Sequence, residues 1–132
     1  MTVLLTIKGT QRVDGDADTV TQELRGFLER IDGGWRLAYT DDGVPTLLQI
    51  ALSQVTLSRA GGAPMTWEVG KRHLCEYQTP YGALPLGITT ENVIVSLDAD
   101  GGKVALEYTL DQNGQPISAN SLEILVAVPE KG

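Results

Sequence analysis

Lys103 to Val128 reads K-V-A-L-E-Y-T-L-D-Q-N-G-Q-P-I-S-A-N-S-L-E-I-L-V-A-V, and its pattern decides the class of fold. Val104, Leu106, Tyr108 and Leu110 alternate with Lys103, Ala105, Glu107 and Thr109. After Asn113-Gly114 the alternation resumes at Leu122, Ile124, Val126 and Val128. Successive side chains of a strand point to opposite faces, so each run has an apolar face and a polar one. Asn-Gly between such runs signals a two-residue hairpin turn, whose central residues both need φ > 0. Two paired antiparallel strands are predicted.

Working outward, Val93–Leu97 is a further strand, closed by Asp98-Ala99-Asp100-Gly101-Gly102. Before it, Arg72 to Thr90 (R-H-L-C-E-Y-Q-T-P-Y-G-A-L-P-L-G-I-T-T) holds the single histidine and the single cysteine. As a strand it puts His73, Cys75, Tyr77, Thr79 and Tyr81 on one face and Arg72, Leu74, Glu76 and Gln78 on the other. It should bend at Pro80 to Gly82, where an amide donor is missing and glycine tolerates positive φ. Met65–Val69 and Trp35–Tyr39 alternate clearly, and Thr46–Leu57 reads as one long strand with a bulge near Ser53-Gln54. Over Thr19–Ile31 the spacing of Thr21, Leu24, Leu28 and Ile31 is helical, but Gly26 and β-branched residues oppose a helix. A helical turn over Thr19–Gln22 and a strand over Glu23–Ile31 are predicted. Asp14 to Asp18 reads as a solvated turn, because the glycine and distal glutamate of a calcium loop are out of register. Val3–Val13 is the first strand.

About nine short strands with regularly spaced turns indicate an all-β, antiparallel domain covering residues 1–132. Closing the sheet into a barrel would bury the apolar faces and remove exposed edges. Trp35, Tyr39, Trp67, Tyr77 and Tyr108 then line the interior. A β-sandwich uses the same alternation, so both architectures remain open at this point.

Ten Lys and Arg against seventeen Asp and Glu give a net charge of −7, which disfavours nucleic acid and anionic membrane surfaces as partners. No apolar run approaches the ~18 residues of a spanning helix, and Met1–Ile7 lacks the basic flank and cleavage site of a secretory signal. With one cysteine and no signal, a cytoplasmic location is expected, with Cys75 a small buried hydrophobe.

Several pieces in order resemble the YwiB-like family of uncharacterised bacterial proteins. They are Gly26-Phe27, Trp35 to Tyr39 with the acidic residues after it, Arg59 with Gly61, Tyr77-Gln78-Thr79-Pro80-Tyr81-Gly82, Gly87-Ile88-Thr89-Thr90, and the G-x-x-x-L-x-Y-x-L run from Gly102 to Leu110. The resemblance spans nearly the whole chain and implies a compact β-barrel of the calycin or lipocalin-like kind. It implies no activity.

The residues themselves carry no catalytic set. His73 and Cys75 lie about 7 Å apart along one strand face with no orienting third group. A zinc site needs about four ligands, and the turn carboxylates Asp41-Asp42 and Asp98/Asp100 sit where backbone geometry favours Asp. Phosphate-loop, dinucleotide and nucleophile-elbow motifs are absent. The chain is therefore expected not to be an enzyme, with no metal and no cofactor. Arg59 shares a face with Val55 and Leu57, so it should point inward near a strand end, where it would hold an anion or an internal carboxylate. Two functions follow. One is a small-molecule module binding a partly apolar ligand with a polar or anionic head through Arg59, Trp67, His73, Tyr77, Thr79, Tyr81 and Tyr108. The other is a self-filled barrel that binds a protein partner or a second copy of itself.

Overall fold

Asn113 and Gly114 have φ of 52° and 85°, the left-handed values their turn requires, and Gln112 faces Gln115 across it. Asp14-Gly15 and Asp42-Gly43 use the same device. The computed structural model describes residues 1–129, apart from the side chains of Gln78 and Thr79. Among the described residues it consists of strands β1 (Thr2–Val13), β2 (Asp16–Ile31), β3 (Gly34–Asp41), β4 (Val44–Ile50), β5 (Gln54–Arg59), β6 (Met65–Glu68), β7 (Arg72–Thr79), β8 (Gly82–Asp98), β9 (Gly101–Gln112) and β10 (Gln115–Ala127).

All ten strands form a single antiparallel sheet in the order β6-β5-β4-β3-β2-β1-β10-β9-β8-β7. Every pair of chain neighbours except β6 and β7 is hydrogen-bonded, and β1 joins β10, so the sheet runs almost fully round a barrel. The sandwich is thereby excluded. The two remaining edges, β6 and β7, meet at a seam that is tied at one end. There Lys71 N donates to Glu68 O (3.0 Å), Gly70 N to Thr90 O (2.9 Å), and Val69 bridges Thr90.

Three sequence expectations change. Residues 46–57 are two strands rather than one bulged strand, because the chain reverses through Leu52-Ser53, with Ala51 N donating to Gln54 O (2.9 Å). The helical turn expected at Thr19–Gln22 is strand, and so is Asp16–Asp18. Residues 16–22 pair with Ile7 to Val13 of β1, and a full ladder outweighs the local helical spacing. Gly26 fits this strand because a Cβ there would lie 2.9 Å from Leu5 Cδ1 and 3.0 Å from Ala38 O. The predicted pairing of 104–110 with the last strand holds, and Gly82 has the positive φ (116°) expected beyond Pro80-Tyr81.

Two bulges set which side chains face inward. In β8 the ladder skips Glu91 between Thr90 and Asn92, and in β10 it skips Ile117 between Pro116 and Ser118. Each extra residue reverses the alternation. Thus Leu86, Ile88 and Thr90 point inward before the β8 bulge, and Val93, Val95 and Leu97 after it.

The interior is divided along the barrel axis. Val3, Leu28, Leu37, Leu48, Ile50, Val55, Val104, Leu106 and Ile124 are almost wholly buried in one aliphatic cluster. Burying each such side chain is worth about 1.5–3 kcal/mol. Trp35 packs on this cluster from the end bearing the β2–β3 turn, with the Arg30 guanidinium 5.4 Å from its ring centroid. The opposite end, which carries the β1–β2, β7–β8 and β9–β10 turns, is less filled.

Candidate functional site

At that opposite end the inward positions are small, aromatic or polar rather than aliphatic. Alternation aims Gly9 and Gln11 of β1, Asp18 and Val20 of β2, Cys75 and Tyr77 of β7, Tyr108 and Leu110 of β9, and Asn120 and Leu122 of β10 at one space. These residues, with Met65 and Leu86, line a cavity of about 310 Å³ open to solvent. Gly9 contributes most of the room on its side, since a Cβ there would meet only Leu122 Cδ1, at 4.0 Å.

Tyr108 forms the wall between cavity and core. Its ring meets that of Trp67 edge to face, with centroids 5.6 Å apart and planes at 63°. Burial raises the Tyr108 hydroxyl's pKa, with smaller contributions from Cys75 and Tyr77. Burial also raises that of the Cys75 thiol. Both groups therefore stay protonated at neutral pH, and a protonated thiol is a poor nucleophile. Behind Tyr108, Trp67 Nε1 and Thr90 Oγ1 are buried without a hydrogen-bond partner among the described residues. Thr90 is the ladder partner of Tyr108, so both unpartnered atoms belong to side chains beside that ring.

The residues singled out from sequence do not all converge here. Tyr77 and Tyr108 line the cavity, although Tyr77 is 57% exposed, and Trp67 lies one ring away. His73 instead serves the seam, its Nε2 lying 2.9 Å from Glu68 Oε1. This hydrogen bond is the main reason the Glu68 carboxyl has a lowered pKa. A carboxylate only accepts, so the ring nitrogen carries the proton. Lys71 Nζ stands 3.4 Å from the other Glu68 oxygen. Tyr81 is fully exposed at the β7–β8 turn, away from the cavity lining, because the chain reverses there. The side chain of Thr79 lies outside the described residues. Arg59 points to the inner face as expected but is not part of the cavity wall. Its Nη1 is 3.9 Å from Asp41 Oδ2, the internal carboxylate partner that sequence allowed. Beside this pair the Tyr39 hydroxyl is pushed up to about 12, mainly by burial and then by Asp41.

Sequence reasoning passed over Gly9, Gln11, Asp18, Leu86, Leu110 and Asn120. Alternation pointed to Leu110. Asp18 was hidden by being read as part of a turn.

A second polar cluster lies on the outer wall. The Arg72 guanidinium crosses β8 to grip Asp111 on β9, with Nε to Oδ1 at 3.0 Å and Nη2 to Oδ2 at 2.7 Å. Gly87 lies between them, and any Cβ there would collide with both partners. Asp111 Oδ2 also accepts from Gly114 N at 2.9 Å, coupling the clamp to the β9–β10 turn. The Arg72 hydrogen bond, then that of Gly114, lowers the Asp111 pKa.

A family model described as a domain of unknown function, DUF1934, matches residues 5–124. The chain belongs to that family. The DUF1934 match takes in β2 to β9 whole, most of β1 and β10, and both bulges. A crystal structure of the YwiB protein from Bacillus subtilis superposes on this DUF1934 chain with a TM-score of 0.84. That match covers 98% of this chain and 92% of the other at 18% identity, a likeness that shows the shared fold. No curated protein matches the chain.

Proposed function

We propose that this DUF1934 barrel is a non-catalytic binding module for a compact, largely apolar small molecule held at its open end. The cavity carries this reading. Its volume of about 310 Å³ lies at the low end of the ~300–1,000 Å³ usual for ligand sites. Eight strands leave an interior just wide enough for side chains or one small ligand, and ten strands leave more. The walls are mainly Leu86, Leu110, Leu122, Cys75 and the tyrosine rings, with Gln11, Asn120 and Asp18 as polar groups. Arg59 is neutralised by Asp41 and stands apart, while Asp18 is in the lining. An uncharged or cationic polar group therefore fits better than the anionic head suggested by sequence. The cytoplasmic reading places the site in a reducing compartment, which suits Cys75 as a free thiol.

Gly9→Phe tests this directly, because the new ring would enter the cavity without meeting backbone. Native mass spectrometry of the wild-type protein, purified gently, should show a bound small-molecule mass that Gly9→Phe lacks at unchanged thermal stability. Wild type that carries nothing and binds no apolar fluorescent probe at this end would sink the ligand reading and leave the self-filled interaction module.

A further inference from the structure

The outer wall carries an apolar feature on the strands behind the cavity. Because Val3 and Leu5 face inward, Thr2, Leu4 and Thr6 of β1 face out. On either side of Leu4 the ladders place Arg25 of β2 and Ala127 of β10, and on either side of Thr6 they place Glu23 and Leu125. Leu4, Leu125 and the nearby Phe27 are 43%, 42% and 50% exposed. The groove over these strands has a volume of about 540 Å³, larger than that of the cavity at the open end.

We propose that this face pairs with the same face of a second copy of the chain about a two-fold axis. The charges carry the argument. Arg25 and Glu23 are outward neighbours on one strand, and neither has an ion-pair partner among the described residues. A two-fold axis lying across the strands, between the Leu4 row and the Thr6 row, exchanges those rows. It sets Arg25 of each copy over Glu23 of the other, twice. The same operation sets the small Ala127 over Leu125 and brings the two Leu4 side chains to the centre. Small against large and plus against minus are what an isologous contact requires of one surface. A partner bearing a single sign of charge would meet one of the two residues unfavourably.

Sedimentation equilibrium over a wide concentration range, with circular dichroism as the check on folding, tests the pairing. The wild type should associate reversibly to a dimer, and Leu4→Glu should be a folded monomer. Arg25→Glu, which sets acidic groups face to face, should weaken the dimer by roughly tenfold or more. The double swap Glu23→Arg with Arg25→Glu restores complementarity and should recover the dimer. A wild type that stays monomeric throughout the range overturns the proposal. So does a dimer indifferent to Leu4→Glu, or a double swap that remains as weak as the single one.

Discussion

The two ends of this barrel are built by the same alternation of side chains, yet one holds a wholly buried aliphatic core and the other a cavity walled by small, aromatic and polar groups. At the packed end the inward positions are Val3, Leu28, Leu37, Ile50 and Val104, aliphatic residues whose volumes fill the space their strands enclose. At the open end the strands turn Gly9, Cys75, Asn120 and the rings of Tyr77 and Tyr108 inward. The difference lies in volume and polarity, not in backbone path. A ten-stranded barrel needs more side-chain volume than a narrower one, and here the sequence provides enough of it for only part of the length.

The largest effect should come from the packed end. Leu37 is wholly buried, and Leu37→Ala is predicted to cost about 2–5 kcal/mol in urea unfolding. Leu122→Ala, on a partly buried residue at the cavity, should cost clearly less. If the two losses are equal, the ends do not differ as described.

Next in size is Gly87→Val, which should break the clamp and expose the edge strand β7. Local amide exchange in β7 should speed up while the packed end stays protected. Asp111→Asn examines the same contact through pH. The folded pKa of Asp111 lies below its unfolded value, so its contribution is present above the unfolded value and is lost as pH falls through the folded one. The wild type should therefore lose stability on the acid side, and Asp111→Asn should flatten that limb. An unchanged acid profile would dismiss the clamp as a source of stability.

Smaller, and opposite in sign, is Thr90→Val. Its hydroxyl is buried beside Tyr108 without a partner among the described residues, and a buried unpaired group costs about 1–3 kcal/mol. Replacing it with an isosteric methyl should raise stability by roughly 1 kcal/mol. A loss instead would mean that Thr90 holds something the protein itself does not supply, moving the boundary between hollow and packed regions inward. The smallest effect is expected from Leu52→Ser, since Leu52 is 82% exposed at the β4–β5 turn. The change should lie within about 0.5 kcal/mol by thermal unfolding.

The strands were legible because their alternation is local, and so were the turns marked by Asn-Gly, Asp-Gly and the Pro80–Gly82 bend. The β4–β5 reversal was not, because Ala51-Leu52-Ser53 lacks Gly, Pro, Asn and Asp and offers only Ser53, a weak turn mark. The start of β2 was obscured by a coincidence of spacing in Thr21, Leu24, Leu28 and Ile31. Contacts that depend on register could not be read at all. Arg72 and Asp111 are 39 residues apart and meet only because β8 puts a glycine between them. His73, Tyr77 and Tyr81 share a strand pattern in the sequence, yet the fold sends them to the seam, the cavity and the turn.

Glu91 acts on side chains as an inserted base acts on a reading frame. Everything in β8 after it is read in the other phase, and Val93, Val95 and Leu97 reach the core only for that reason. Ironing the bulge flat with this residue still in place would turn that half of the strand inside out, presenting Asn92, Ile94 and Ser96 to an interior shaped for aliphatic groups, whereas deleting it would leave Thr90, Val93 and Val95 facing inward. Alignments of related chains should accordingly show a gap at this position more readily than at its neighbours in β8.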